Sequence, residues 1–406
     1  MRYLLLLISL VLISCQPKEQ KEEKVEELTI EEKAQQLAKK FIILDGHIDL
    51  PYRLKESGFN IEEDKEVILA TENGNFDYQR AVAGGLDAPF MSIYIPASYQ
   101  ETGGAKALAD TLIGLVESIA NAYPDKFAVA HTAEDVANNF EAGIISLPMG
   151  IENGAPIEND LANIKYFNDR GVSYITLTHS KNNQICDSSY DPERKWNGLS
   201  PFGKQVVEEM NKVGIMIDVS HISDSTFYQV MELSKAPVIA SHSSCRHFTP
   251  GFERNMSDDM IKLLGEKNGV IQINFGSTFL ADKSRQVWNH VKPYNDKAKA
   301  DPSDTASANY VKRYLAENPL FTNVQKAADH IDHVVKVAGI DHVGIGSDYD
   351  GVGNSLPTGL KDVSTYPNLI AELLKRGYSE EDIEKICYKN VFRVWKEVDK
   401  LAEASM

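Results

Sequence analysis

Eight short apolar runs, separated by stretches of helical periodicity, constrain this 406-residue chain more than any other feature. The runs are 41–44, 90–95, 144–148, 173–177, 214–219, 237–240, 270–275 and 343–346. Most are continuously apolar rather than alternating, the pattern of strands covered on both faces. Between them, helical spacing is clearest over 105–122, 203–213, 224–233, 258–267 and 327–337. Strands alternating with helices predict an α/β fold, a (β/α)8 TIM-type barrel in one domain over 41–406. A doubly wound open sheet is the alternative. One connection, 277–324, is long and charged and is interrupted by Pro293, Pro302 and Pro319. Connections of that size in a compact domain are lids or binding elements, and this one has room for short helices.

The N-terminus reads as a segment outside the fold. Arg2 precedes an apolar run, 3–13, that ends in Leu12-Ile13-Ser14-Cys15. A positive start, a short apolar stretch and small exit residues describe a secretory signal too short to span a bilayer comfortably. Leu-Ile-Ser-Cys is similar to the bacterial lipoprotein box, so residues 1–15 are expected to be a lipoprotein signal with Cys15 lipidated. Residues 16–40 carry six Lys and seven Glu and read as a solvated tether passing into a lead-in helix. A lipid anchor implies location in the bacterial cell envelope, periplasmic or surface-exposed. The formal net charge of −17 makes nucleic acid a poor partner. With Cys15 set aside, Cys186, Cys245 and Cys387 allow at most one bridge; free thiols are the simpler reading, although Cys186 and Cys245 both follow strand ends.

Polar residues gather where the runs end, which in a barrel is where active sites lie. Run one leads into Asp45-Gly46-His47-Ile48-Asp49, run three into Glu152, run four into His179, run five into His221, run six into His242 and run eight into Asp348. Four of the ten histidines stand at these ends. His47 and Asp49 are two apart, so on a strand both would face the barrel axis. Imidazole with carboxylate suits zinc. His47, Asp49, Glu152, His221 and His242 exceed the needs of one tetrahedral ion, which points to a bridged pair. By contrast, His330-Ile331-Asp332-His333 reads as an exposed helix face. No His-Glu-x-x-His, P-loop, Gly-x-Gly-x-x-Gly or Gly-x-Ser-x-Gly occurs.

Together these stretches resemble the membrane (renal-type) dipeptidase family of zinc metallopeptidases. The resemblance runs from about Phe41 to near Val398 and is carried by ordered motifs: Asp45-Gly46-His47-Ile48-Asp49-Leu50-Pro51, Gly150-Ile151-Glu152, Leu177-Thr178-His179-Ser180, Asp218-Val219-Ser220-His221, Ala240-Ser241-His242-Ser243-Ser244 with Arg254-Asn255, Gly344-Ile345-Gly346-Ser347-Asp348-Tyr349-Asp350-Gly351, and Tyr366-Pro367-Asn368-Leu369-Ile370. It implies a metal-dependent hydrolase-like barrel with two zinc ions per chain. His47 and Asp49 would hold one, His221 and His242 the other, and Glu152 would bridge them. It further implies that His179 contacts the scissile carbonyl region, Arg254 grips the substrate carboxylate, and Asp348 is the acid/base. The implied activity is hydrolysis of dipeptides, L,L and L,D, through a metal-bridging hydroxide; the implied partners are a dipeptide and a second copy in a homodimer. Residues 245–253 depart from the family pattern, which makes Arg246 a competing candidate for the carboxylate contact. Another binuclear amidohydrolase, acting on β-lactams or lactones, and a non-catalytic peptide-binding lipoprotein are the competing readings.

Overall fold

The computed structural model describes residues 28–404; the signal-like run, Cys15 and the tether up to residue 27 lie outside the described residues. Eight parallel strands close into a barrel. In chain order they are β1 (Ile43–Ile48), β2 (Leu86–Tyr94), β3 (Met149–Glu152), β4 (Val172–Thr176), β5 (Met216–Asp218), β6 (Ile239–Ser243), β7 (Val270–Ile273) and β8 (Val343–Ile345). Each pairs with its sequence neighbours and β1 pairs with β8, as a (β/α)8 barrel requires and an open sheet does not.

The β1–β8 seam is thin, with Asp45 opposite Ile345 as its one registered pair, as Asp218 opposite Ile239 is for β5–β6. Asp45 reinforces it. Its buried carboxylate accepts from the backbone N–H of His47 (3.0 Å), the N–H of Ser347 (2.9 Å) and the hydroxyl of Tyr366 (2.6 Å). At the other end, Leu44, Phe90, Met216 and Val270 join one buried cluster with Val391, Trp395 and Val398 of the C-terminal helix Asn390–Glu403. That helix plugs the foot of the barrel, which leaves the C-terminal ends of the strands as the open mouth.

Several elements differ from the sequence reading. The third run divides at Pro148. Ile145–Leu147 leaves the barrel and pairs with an unexpected strand, Phe127–Val129, while β3 begins only at Met149. Glu152 is therefore the last residue of its strand. Asp49 is not on β1 but is the N-cap of helix Leu50–Glu56. His330 is fully buried, not exposed: it accepts from the Cys245 N–H at Nδ1 (3.0 Å) and donates from Nε2 to the Leu280 carbonyl (3.1 Å). Cys186, Cys245 and Cys387 are free and buried. The 277–324 connection is largely helical, with Ser277–Leu280, Asp282–Ala300 and Thr305–Glu317. The lead-in helix Ile30–Lys40 docks through Ala34, Leu37 and Ala38, with Lys33 and Lys40 paired to Glu380. Among the described residues no helix is long and apolar enough to cross a membrane.

Candidate active site

At the mouth, the sequence-selected residues come together. Glu152 is the centre. Its Oε2 lies 3.4 Å from His47 Nε2, and its Oε1 lies 3.0 Å from His221 Nε2 and 3.4 Å from His242 Nε2. Asp49 Oδ2 stands 3.5 Å from His47 Nε2. The two carboxylate oxygens of Glu152 thus face two donor sets, one from β1 and one from β5 and β6. Two strand residues to which the sequence reading gave no role support this cluster: Tyr174, and Asp218, which it quoted only as part of a motif. Tyr174 on β4 crosses the barrel to reach β1, and it fits because position 150 has no side chain; a Cβ there would lie 2.0 Å from its ring. Asp218 at the end of β5 accepts from Ser241 Oγ (2.7 Å) and from the N–H groups of Ser220 (3.0 Å) and Ser241 (2.8 Å).

These two partners orient the imidazoles. The Tyr174 hydroxyl donates to the Gly46 carbonyl at 3.1 Å, so its oxygen accepts from His47 Nδ1–H at 2.9 Å. Ser241 Oγ donates to Asp218, so it accepts from His242 Nδ1–H at 2.8 Å. In both rings Nε2 is left pointing at Glu152. His221 Nε2 and His242 Nε2 then meet at 2.8 Å against one carboxylate oxygen, an arrangement of lone pairs that a cation satisfies. His47 Nε2, Asp49 Oδ1 and His221 Nδ1 are buried with no hydrogen-bond partner. Asp49 makes no cap hydrogen bond although it holds the N-cap position, so its carboxylate stays free for the site.

Electrostatics point the same way. Burial opposes charge on His47, but Tyr174, Glu152 and Asp49 outweigh it and hold His47 well above the ordinary histidine range. A positive charge is favoured at that nitrogen, be it a proton or a metal. Burial also opposes charge on Glu152, yet His47 first, then His179 and the facing imidazoles of His221 and His242, keep it well below the carboxylate range. Burial, with Arg254 nearby, drives His221 and His242 well below the ordinary value and leaves both neutral, the form that ligates. Donors able to hold a metal therefore form three overlapping groups: His47, Glu152 and His242; Glu152, His179 and His221; His47, Asp49 and Asp348. Imidazole and carboxylate oxygens in this number fit zinc-class ions.

Around this cluster stand His179, Asp348 and Arg254. His179 is the most solvent-accessible of the four mouth histidines; its Nε2 is 3.6 Å from Glu152 Oε1, its Nδ1 has no partner, and burial lowers its pKa. Asp348 has a positive φ of 62°, as does His221 at 68°, an uncommon conformation tolerated best by Asp, Asn, His and Gly. Asp348 Oδ2 accepts from Asn274 Nδ2 at 2.7 Å. Its Oδ1 shares with Asp49 Oδ2 the space beside Gly351, where a Cβ would lie 2.1 Å from both. Burial first, then Asp49, raises the Asp348 pKa well above normal. Asn274 follows β7, a strand end without His or carboxylate, which is why the sequence did not mark it.

Arg254 is 3% exposed and stacks 5.3 Å from the ring centre of Phe279, in the first short helix of the 277–324 segment. It donates to Ser243 Oγ (2.6 Å) and to the His242 carbonyl (2.8 Å), and its Nε is unpartnered. Among the described residues no carboxylate pairs with it. Arg246 is different: it forms a two-pronged pair with Asp224 at 2.6 and 2.7 Å and donates to the Asn255 carbonyl (2.7 Å), so it braces the loop and has no free face.

A closed parallel barrel with histidine and carboxylate donors at its mouth defines a metallohydrolase class. Comparison narrows it. The family model for membrane dipeptidase (peptidase family M19) matches residues 31–406. Dipeptidase 3 of Mus musculus is 33% identical over 381 residues, covering 93% of this chain and 68% of that one. Among solved structures, the probable dipeptidase PvdM of Pseudomonas aeruginosa superposes with a TM-score of 0.78 at 28% identity, over 92% of this chain and 99% of that one. A metallopeptidase of Rhodobacter sphaeroides, liganded with a phosphinate mimic of L-Ala-D-Ala, gives 0.72 at 25% identity, over 88% and 99%. The chain belongs to the membrane dipeptidase family, peptidase family M19, and is a metallo-dipeptidase, a hydrolase acting on peptide bonds.

Proposed function

We propose that this protein cleaves dipeptides, L,L and L,D alike, with two zinc ions held by His47, Asp49, Glu152, His221 and His242. The carrying observation is Arg254: a buried guanidinium with no carboxylate partner, adjoining the donor cluster through His242. A buried cation left unpaired is costly, so the position suits a ligand carboxylate. The dipeptide mimic bound by the Rhodobacter sphaeroides relative supports the same substrate class. Bound zinc would supply an acidified water and a Lewis acid for the scissile carbonyl.

The chain's own groups do the rest. Arg254 fixes the free carboxylate of the substrate with its remaining N–H donors, a planar geometry Lys does not copy. His179, neutral and partly exposed, donates to the carbonyl region as charge develops there. Asp348, braced by Asn274, takes the proton of the attacking water and returns it to the leaving amine. Asp49 and Glu152 lie where the substrate's ammonium end arrives. Because orientation is set by the carboxylate and not the second side chain, stereochemistry at that residue matters little. Both termini are used in binding, so tripeptides and N-acetyl-dipeptides should be poorer substrates by about 10²-fold or more.

Metal analysis and turnover over a panel of L,L-dipeptides, L,D-dipeptides, tripeptides and N-acetyl-dipeptides test this reading. Efficient cleavage of N-acetyl-dipeptides would overturn it in favour of a broader amidohydrolase, and a single tightly held ion would overturn the binuclear claim. We also propose that Cys15 carries a lipid that anchors the enzyme in the cell envelope, on the strength of the Leu12-Ile13-Ser14-Cys15 box. Cys15→Ala should then cease to partition into detergent; continued fatty-acid labelling of that variant would refute it.

A further inference from the structure

A second gathering of metal-type donors lies outside the active site. His247 stands in the short turn Arg246–Phe248, Asp258 opens helix Asp258–Glu266, and His333 faces them from helix Val324–Ala338. His333 Nε2 is 2.7 Å from Asp258 Oδ1, with the His333 side chain 9% exposed and Asp258 53% exposed. The rings of His247 and His333 stack at 4.4 Å with 21° between their planes. One donor atom from each of the three residues lies within 4.8 Å of the other two.

A His–Asp pair on a helix surface is an ordinary ion pair. The second imidazole changes the chemistry, because two ring nitrogens and a carboxylate oxygen suit zinc, nickel or copper and not calcium or magnesium. A tetrahedral ion with donors at about 2.0–2.1 Å places them roughly 3.4 Å apart. Closing the present arrangement to that spacing asks the exposed His247 ring to turn out of its stack on His333, so that its in-plane lone pair meets that of His333 at the ion. His333 is the fixed partner, held by Phe248 with ring centres 5.6 Å apart. Lys326, which lies over Phe248, is already paired with Asp329 at 2.7 Å.

We propose that His247, Asp258 and His333 bind one further zinc-class divalent ion, with water completing its shell. The turn bearing His247 belongs to the loop that also delivers Arg254, and the ion would tie this loop to helix Val324–Ala338. It would add to the hydrogen bond from Cys245 N–H to His330 and the ring contacts of Phe248 with His330 and His333 that already join the two. This inference is independent of how the barrel mouth is read.

Equilibrium dialysis of the full chain against zinc, alone, tests it by difference. His247→Ala and His333→Gln should each bind one equivalent fewer than wild type while keeping dipeptide turnover. Glu152→Gln, which disturbs the mouth, should retain that equivalent. Loading Glu152→Gln with copper(II) should give an electron paramagnetic resonance signal with nitrogen coupling, one component of which is lost when His247→Ala is added. Equal zinc content in wild type and both histidine variants, or a copper spectrum unchanged in intensity and nitrogen coupling by His247→Ala, would overturn the proposal. Failure of the mouth reading would show differently, as a metal content unaffected by Glu152→Gln.

Discussion

Glu152 shows how one residue sets the geometry of the site: its two oxygens face different imidazoles, Oε2 toward His47 and Oε1 toward His221 and His242. Behind it, Tyr174 acts on His47 without reaching substrate, as a positioning residue. Tyr174→Phe removes the acceptor that holds the Nδ1 proton and frees the ring to take the other tautomer. Metal affinity, measured by chelator competition, should fall about 10- to 100-fold, while kcat at saturating zinc stays near wild type. A purely structural role for Tyr174 would lower kcat and thermal stability without that split. For Asp348→Asn the expectation is reversed. Zinc content and KM should hold and kcat should drop by at least ~100-fold, because proton transfer is lost and the ligands are kept. Loss of zinc in that variant would instead make Asp348 a ligand. Arg254→Lys should raise KM by about 10-fold or more with kcat less affected, since the charge remains but the fork is gone.

Among the elements, the β1–β2 foot carries a charge in an awkward place. Asp87 accepts from the Ile43 N–H at 2.9 Å, and burial pushes its pKa up to about 7 against that hydrogen bond and Lys39. A carboxyl raised in the native state binds its proton more tightly folded than unfolded. Its contribution is therefore greatest near pH 4 and declines as pH rises to about 7. Asp87→Asn keeps an acceptor for Ile43 and removes the titration. Relative to wild type, it should gain stability between pH 5 and pH 8, read as urea midpoints at the two pH values; an unchanged difference would mean Asp87 titrates normally. The element scale is also where sequence reading stops short. Seven of the runs overlap their barrel strands because buried parallel strands are continuously apolar, a local property. The run at 144–148 is equally apolar, yet it stays outside the barrel strand, which begins only after Pro148, and its pairing depends on Phe127–Val129, which is too short to signal itself. His330 escaped for the same kind of reason: its burial follows from Cys245 and Leu280, far away in sequence. The ligand-type residues were legible because charged and imidazole groups at strand ends stand out from apolar surroundings, whereas Tyr174 and Asn274 resemble core and loop.

At the scale of the whole molecule, the question is what the mouth costs the fold when metal is absent. Asp49, Glu152 and Asp348 converge there with four imidazoles, and several of their polar atoms have no partner. The barrel does not rest on them. Asp45 ties the seam, Trp395 plugs the foot, and the outer helices pack on apolar strand faces. Metal removal should consequently leave secondary structure intact and lower stability by the binding free energy alone. An ion present at 1,000 times its Kd contributes about 4 kcal/mol, so two contribute about 8 kcal/mol. With an unfolding entropy of about 2.1 cal/mol/K per residue, a chain of this size loses roughly 10 °C of Tm on chelation. Differential scanning calorimetry in zinc and in chelator measures it, with far-ultraviolet circular dichroism as the control. Asp348→Asn should keep the full shift and Glu152→Gln should lose most of it, because the shift belongs to the ligands and not to the proton carrier. A chelated protein that melts at the same temperature as the loaded one would show that these donors hold no tightly bound ion. Collapse of the circular dichroism signal on chelation would show that the barrel, despite its seam and plug, is built around its metals.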